Sequence, residues 1–373
     1  MKKQNLIIIL IDGGRLDYAK KSDVFNELKE KSAFFSNSIT YGPHTIAAMH
    51  AIFSGTYGIR NGTNSYWSTY QFKKNKFKTI TEYLKDNDFF TCADLHSEIV
   101  IPKHGFDQFQ IHEPNDDLTI RHSELIEKMY EKNINNENFF LYLHYSTIHN
   151  TISEEVLKKY DNFSQDYFDN KKFNQDRYSK QFNDAECYLS SILNKISSLK
   201  LDDNSLILIL SDHGISVGEK FGERAYGAFC YDYTIKTFGY ILGNSINPIE
   251  ITQQVRTIDY MPTILDYLEI KHDENFENMD GVSLSSLMHG ISMEEEIAFS
   301  ETGNPLHEKK PPKIPNTRSV RTSKWKLIVN EYNNSKELYN LEEDPTESKN
   351  VIKQFPDIEK DLWNHFLDIT NKK

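Results

Sequence analysis

Leu6-Ile-Ile-Ile-Leu-Ile-Asp12-Gly-Gly-Arg15 runs from branched aliphatic residues straight into an acid, with glycine close behind. Leu206-Ile-Leu-Ile-Leu-Ser-Asp212-His213-Gly214 repeats the pattern far downstream. Unbroken apolar runs of this kind suit strands buried on both faces of a parallel sheet. Their abrupt ends place Asp12, Asp212 and His213 just past the carboxyl ends of the strands. Open α/β sheets bind ligands at that edge. Two carboxylates and an imidazole converging there form a ready cage for a divalent cation.

Outward from these two runs, strand-like and helix-like stretches alternate. Val24–Lys31 reads as a helix and Ala33-Phe-Phe-Ser-Asn-Ser as a strand. Thr79–Lys85 reads as a helix leading into Phe89-Phe-Thr-Cys-Ala, and Glu124–Lys132 as a helix before the strand Phe139–His144. Phe173–Leu199 has apolar spacing of about 3.6 and forms a long helix feeding Leu206–Leu210. The alternation predicts an α/β fold, a three-layer αβα sandwich with a mainly parallel sheet. Thr151–Lys172, polar and rich in aromatic residues, interrupts it and reads as a lid over the cage edge. The proline cluster Lys310–Pro315 marks a boundary, so we expect a catalytic domain over 1–300 and a small α+β subdomain over 301–373. In the latter, Ser319–Asn330 and Glu337–Leu341 form an antiparallel pair turning at Asn333-Asn334, followed by a helix over Pro356–Ile369.

At 373 residues with 38% hydrophobic content, the chain can build a substantial core. A net charge of −12 argues against sequence-independent nucleic-acid binding. Cys92, Cys187 and Cys230 are odd in number, form no CxxC pair and define no disulfide framework. Met1-Lys-Lys-Gln-Asn before Leu6 mimics a signal peptide. The short apolar run, ending in Asp12-Gly13-Gly14-Arg15 without a cleavage site, reads instead as the first strand. No stretch approaches the roughly 20 apolar residues of a membrane span. A soluble, cytoplasmic protein is expected; its oligomeric state is left open.

Several segments carry a family likeness in order. They include Asp12-Gly-Gly-Arg15-Leu-Asp17, Thr45-Ile-Ala-Ala-Met-His-Ala-Ile-Phe-Ser-Gly55, His104-Gly-Phe-Asp107 and Leu143-His144-Tyr-Ser-Thr-Ile-His149. Ser211-Asp212-His213-Gly214 with Gly218-Glu219-Lys220 is the most specific, and Val320-Arg321 to Lys326 and Glu337 to Pro345 extend the match to the C-terminus. Together they resemble the sulfatase-like branch of the alkaline phosphatase superfamily over nearly the whole chain. The resemblance implies an alkaline phosphatase-like sheet and cleavage of a small anionic ester at a metal.

It also implies roles. Thr45 falls at the nucleophile position, where coordination to a divalent ion favours its alkoxide; taken alone it reads first as a helix cap, and beside the Asp-His pair as the nucleophile. Asp12, Thr45, Asp212 and His213 are the implied metal ligands. His149 is expected to bond the anionic ester or protonate the leaving group, and Lys220 and Arg224 to neutralise substrate oxygens. His44 and His307 are further substrate contacts, while His144 reads as a core residue and Arg15 with Asp17 as an ion pair supporting the first loop. A second metal site lacks its aspartate at Ser146-Thr147, with only His149 and His307 left to contribute.

The departures from the family pattern redirect the chemistry. Sulfatases convert a Cys or Ser in a Cys/Ser-x-Pro-x-Arg context to formylglycine, whereas here Thr45, Ala47 and Met49 occupy those positions. Threonine cannot give that aldehyde. Gly13 stands where many sulfatases carry a second aspartate, so Zn²⁺ or Mn²⁺ suits the ligand set at least as well as Ca²⁺ or Mg²⁺. The sequence therefore predicts a hydrolase or transferase of phosphate esters, diesters preferred, acting through Thr45. The alternatives are a sulfuric-ester hydrolase without formylglycine and a catalytically impaired binding protein.

Overall fold

A computed structural model of the chain describes residues 4–305 and 312–371. Thirteen strands are described: β1 (Asn5–Ile11), β2 (Ala33–Ile39), β3 (Phe90–Leu95), β4 (Gln108–Ile111), β5 (Phe139–Tyr145), β6 (Ser205–Leu210), β7 (Lys236–Leu242), β8 (Ile249–Ile251), β9 (Val255–Arg256), β10 (Ala298–Thr302), β11 (Thr317–Arg321), β12 (Trp325–Asn330) and β13 (Ser335–Asn340). The first nine form one sheet in the order β4-β3-β5-β1-β6-β7-β2-β8, with β9 also on β2. Its pairings are parallel except where β7 runs against β6 and β2.

The two apolar runs are neighbours at the centre of this sheet, with Leu6 beside Leu206 and Leu10 beside Leu210. Both faces are covered, as their composition requires. Ile7, Ile9 and Ile11 pack with Phe182, Leu189 and Ile192 of the long helix Lys171–Ser198. Leu6, Ile8 and Leu10 pack on the other face with Met49 and Phe53 of the helix Thr45–Ser54. Alternating side chains of one strand thus feed two cores, which holds the strand in register.

The structure departs from the sequence reading at several elements. The helix expected over Glu124–Lys132 spans Leu118–Ile134, because Asp117 caps it by accepting from the Thr119 and Ile120 N–H groups. Thr151–Lys172, read from sequence as a lid or insertion, has regular structure of its own. It holds the end of the helix Thr147–Ile152, a π-helical turn Ser153–Leu157 and the short helix Gln165–Asp169. Tyr167 nails it to the loop after β6 by donating to the Ser216 carbonyl at 3.0 Å.

The C-terminal sheet is antiparallel, in the order β10-β11-β12-β13, and the helix Pro356–Asn371 packs on it. It starts at Ala298 and has four strands where a pair was expected: β10 is added, and the stretch read as one strand over Ser319–Asn330 is split between β11 and β12. The chain is therefore an α/β fold with a mostly parallel central sheet plus an antiparallel C-terminal subdomain. No helix among the described residues is long and apolar enough to cross a membrane.

Candidate active site

The parallel register of β1, β5 and β6 delivers their carboxyl ends to one place. Asp12 follows β1, His144 is the penultimate residue of β5, and Asp212 and His213 follow β6. Gly13 adopts a φ of +75°, a left-handed conformation that lets the chain turn sharply after Asp12. Its N–H donates to Asp212 Oδ1 at 3.1 Å, tying the two strand ends together. Gly214 admits the Tyr233 backbone so closely that a Cβ there would lie 2.2 Å from its carbonyl oxygen.

Thr45 begins the helix Thr45–Ser54, and His44, not Thr45, caps it, its Nδ1 accepting from the Ala47 N–H at 3.5 Å. That leaves the threonine hydroxyl free to face the cage. Thr45 Oγ1 lies 3.3 Å from Asp12 Oδ2 and 3.2 Å from His213 Nε2. His213 Nδ1 donates to the Gly214 carbonyl at 2.9 Å, which leaves Nε2 bare as a ligand or proton acceptor. The His213 ring is buried, as are Asp12 and Asp212.

Two observations say that these residues suit a cation. Asp12 Oδ1 and Asp212 Oδ2 are buried carboxylate oxygens with no hydrogen-bond partner, a costly state for a bare anion. Asp12, Asp212 and His213 also each present a ligand atom within 4.8 Å of the others. Burial and the Asp12 charge push the Asp212 carboxyl up, while His149 and His144 outweigh burial at Asp12 and hold it well below the usual range. The donor set of two carboxylates, one imidazole and one hydroxyl fits a divalent ion.

A second rim of histidines surrounds Asp12. His144, read from sequence as a core residue, is buried and sits with Nε2 3.0 Å from Asp12 Oδ2. His149 Nδ1 lies 3.5 Å from the same oxygen; its pKa is raised because the Asp12 charge outweighs burial. His96, which sequence reading passed over, stacks near His149 with ring centroids 5.0 Å apart. Beyond it, Asp94 Oδ1 accepts from His112 at 2.6 Å and His122 at 3.2 Å, and Asp94 Oδ2 accepts from Arg121 at 2.6 Å. The guanidinium balances that buried carboxylate. His112 Nε2 in turn meets Ser146 Oγ at 2.8 Å, steadying the start of the helix that carries His149.

The cations nominated from sequence go elsewhere. Lys220 Nζ donates to the Glu347 carbonyl and lies 4.7 Å over the Tyr231 ring, a contact with the C-terminal subdomain. Arg224 Nη1 donates to Asn162 Oδ1 at 2.7 Å, anchoring the segment after the π-helical turn. Arg15 pairs with Asp17 as expected and also with Glu219, at 2.9 and 2.6 Å. His44 stacks on Tyr66 at 4.3 Å next to Thr45, with burial pushing its pKa down to about 3. His307 lies outside the described residues. Tyr226, with no motif to announce it, packs at a tilt against His213 with ring centroids 4.7 Å apart and places its hydroxyl 3.4 Å from His149 Nδ1.

The chain matches the sulfatase family model over residues 4–270 and the C-terminal model of N-sulphoglucosamine sulphohydrolase over residues 231–372. It is similar to arylsulfatase K of Mus musculus, 26% identical over 201 residues, which make up 50% of this chain and 34% of that protein. It is likewise similar to a choline-sulfatase of Rhizobium meliloti (strain 1021), 24% identical over 163 residues, 44% of this chain and 30% of that one. The chain thus matches about a third of the length of these curated relatives. Among solved structures it resembles BT1596, a 2-O GAG sulfatase, with a TM-score of 0.77 at 16% identity, covering 99% of this chain and 93% of that one. It also resembles BT4656, solved in complex with its substrate D-glucosamine-2-N,6-O-disulfate, with a TM-score of 0.76 at 15% identity, covering 99% and 98%. The fold, the strand-end acids and the family match lead to one conclusion: this chain belongs to the sulfatase family.

Proposed function

We propose that the protein is a metal-dependent hydrolase of a small anionic ester and that the Thr45 hydroxyl is its nucleophile. The observation that carries this reading is the place of Thr45 Oγ1, between Asp12 Oδ2 and His213 Nε2 at 3.3 and 3.2 Å. A divalent ion held by Asp12, Asp212 and His213 supplies charge neutralisation and lowers the cost of the alkoxide. The chain itself does the rest. Thr45 passes its hydroxyl proton to Asp12 Oδ2, which it already faces at 3.3 Å, and attacks the central atom as the bond to the leaving alcohol breaks; the start of its helix favours the incoming anion. His149, whose pKa the Asp12 charge raises, gives a proton to the leaving oxygen. Water then cleaves the Thr45 ester.

Family membership and the sulfatases it resembles support a sulfuric ester as the substrate. One observation favours a second reading, a phosphate ester with diesters preferred: threonine stands where formylglycine forms, and a phosphothreonine is the more readily hydrolysed intermediate. Turnover of an aryl sulfate, an aryl phosphate monoester and an aryl phosphate diester, each with Zn²⁺, Mn²⁺, Ca²⁺ or Mg²⁺, ranks the two. Sulfate turnover above diester turnover favours the family's chemistry, and the reverse order favours phosphoryl transfer. Activity unchanged in Thr45→Ala with every ester sinks the nucleophile.

A further inference from the structure

An anionic ester in this site needs hydrogen-bond donors besides the metal, and the obvious cations are committed. Lys220 is tied to Glu347, Arg224 to Asn162 and Arg15 to Asp17 and Glu219. What faces the cage instead is a phenol. Tyr226 lies across the His213 ring at 4.7 Å, and its hydroxyl reaches to 3.4 Å from His149 Nδ1. At 3.4 Å that contact is long for a hydrogen bond, so the hydroxyl can turn its proton toward a third group in the cage.

The hydroxyl is also held in place before any ligand arrives. Glu223 Oε1 accepts from the Ala228 and Phe229 N–H groups at 2.7 and 2.9 Å, closing the loop just after Tyr226. Thr302 donates to the Gly227 carbonyl at 2.6 Å, fixing the next peptide from the C-terminal sheet. A tyrosine hydroxyl is neutral at about pH 7 by its ordinary chemistry. Such a group is a neutral donor with little reorganisation to undergo.

We propose that Tyr226 is a substrate-binding residue whose hydroxyl donates to a non-bridging oxygen of the ester, the task that a lysine or arginine is expected to perform. The inference rests on the anion-accepting site proposed above. It is tested by calorimetric titration of inorganic sulfate and inorganic phosphate into the full chain loaded with a divalent metal. Wild type is compared with Tyr226→Phe, which keeps the ring on His213, and with Lys220→Gln. The expected result is anion binding about tenfold weaker in Tyr226→Phe, with metal affinity and melting temperature unchanged and Lys220→Gln equal to wild type. Equal anion affinity in Tyr226→Phe overturns the proposal, as does a matching loss of metal affinity, which marks a structural role. A tenfold loss in Lys220→Gln alone overturns it too. If wild type binds neither anion with any metal, the anion site itself is wrong and this inference falls with it.

Discussion

Thr45 separates two jobs that its position could have merged. His44 does the capping, so exchanging the threonine tests its hydroxyl without removing a helix cap. Thr45→Ser is expected to retain measurable turnover, and Thr45→Ala to lose roughly a thousandfold or more in kcat. Circular dichroism melts that stay within a degree or two of wild type would show that the loss is chemical. Asp12, Asp212 and His213 could be found from sequence because a buried strand leaves little choice about where its last residue goes. Lys220 could not be placed. It follows a turn, and nothing in its neighbours tells whether its long side chain bends to Asp212 or to Glu347. Tyr226 was invisible for the opposite reason: it comes near His213 only because distant groups, Glu223 and Thr302, fold its loop.

The loop from Ser211 to Tyr233 is the element on which the site turns. At its centre Glu223 is buried, receiving two backbone N–H groups and the Tyr233 hydroxyl, yet burial outweighs these bonds and pushes its pKa up to about 7. A carboxyl with a raised folded-state pKa contributes its full stability below its ordinary value of 4.5, and that contribution is lost as pH rises through about 7. A gap of this size is worth about 3 kcal/mol. Glu223→Gln keeps an acceptor for both N–H groups and has no charge to bury. Its melting temperature relative to wild type should therefore climb between pH 5 and about pH 8.5; a constant difference across that range would mean that Glu223 does not titrate there. Gly214→Ala should lower stability by several kcal/mol on the order of a severe core clash, since the Tyr233 carbonyl is in the way; a urea midpoint equal to wild type would show that the loop can yield.

Elements differ in how much of themselves they advertise. Strands β1, β5 and β6 were legible because both faces are apolar. The reversed direction of β7 was not, because Lys236–Leu242 is as buried and apolar as a parallel strand. Strand β4 escaped because Gln108–Ile111 is a half-exposed edge with no apolar period to detect.

Across the whole molecule, the two sheets are joined by charge as well as by packing. Lys326 on β12 is buried and lies 2.8 Å from Asp232 and 2.7 Å from Glu347, while Arg321 on β11 reaches Asp232 at 2.8 Å. Asp232 opens the single helical turn Asp232–Ile235 that leads into β7, so this cluster clips the C-terminal subdomain to the loop that carries Tyr226. Removing the ammonium leaves buried Glu347 without its cation and Asp232 with Arg321 alone: Lys326→Met should cost about 3–5 kcal/mol, read as a lower denaturant midpoint. A midpoint within experimental error of wild type would show the clip to be dispensable. The C-terminal motif containing Lys326 was legible in sequence, but its partner Asp232 was not, because the pairing depends on how the two units dock.

Arg15 has a consequence of a different kind. Its guanidinium holds Asp17 beside the first strand and Glu219 and the Ile215 carbonyl beside the sixth. The Tyr178 hydroxyl accepts from the Arg15 N–H and donates to the Gly13 carbonyl. The two arms of the cage are therefore lashed together without help from an ion. Stripping the protein with a chelator should leave its far-ultraviolet spectrum unchanged, and returning the ion should raise the melting temperature by mass action. A collapse of the spectrum on chelation would contradict this. A spectrum that survives chelation would mean that the polypeptide finishes folding first and takes up an ion afterwards, so that one molecule could be emptied and refilled.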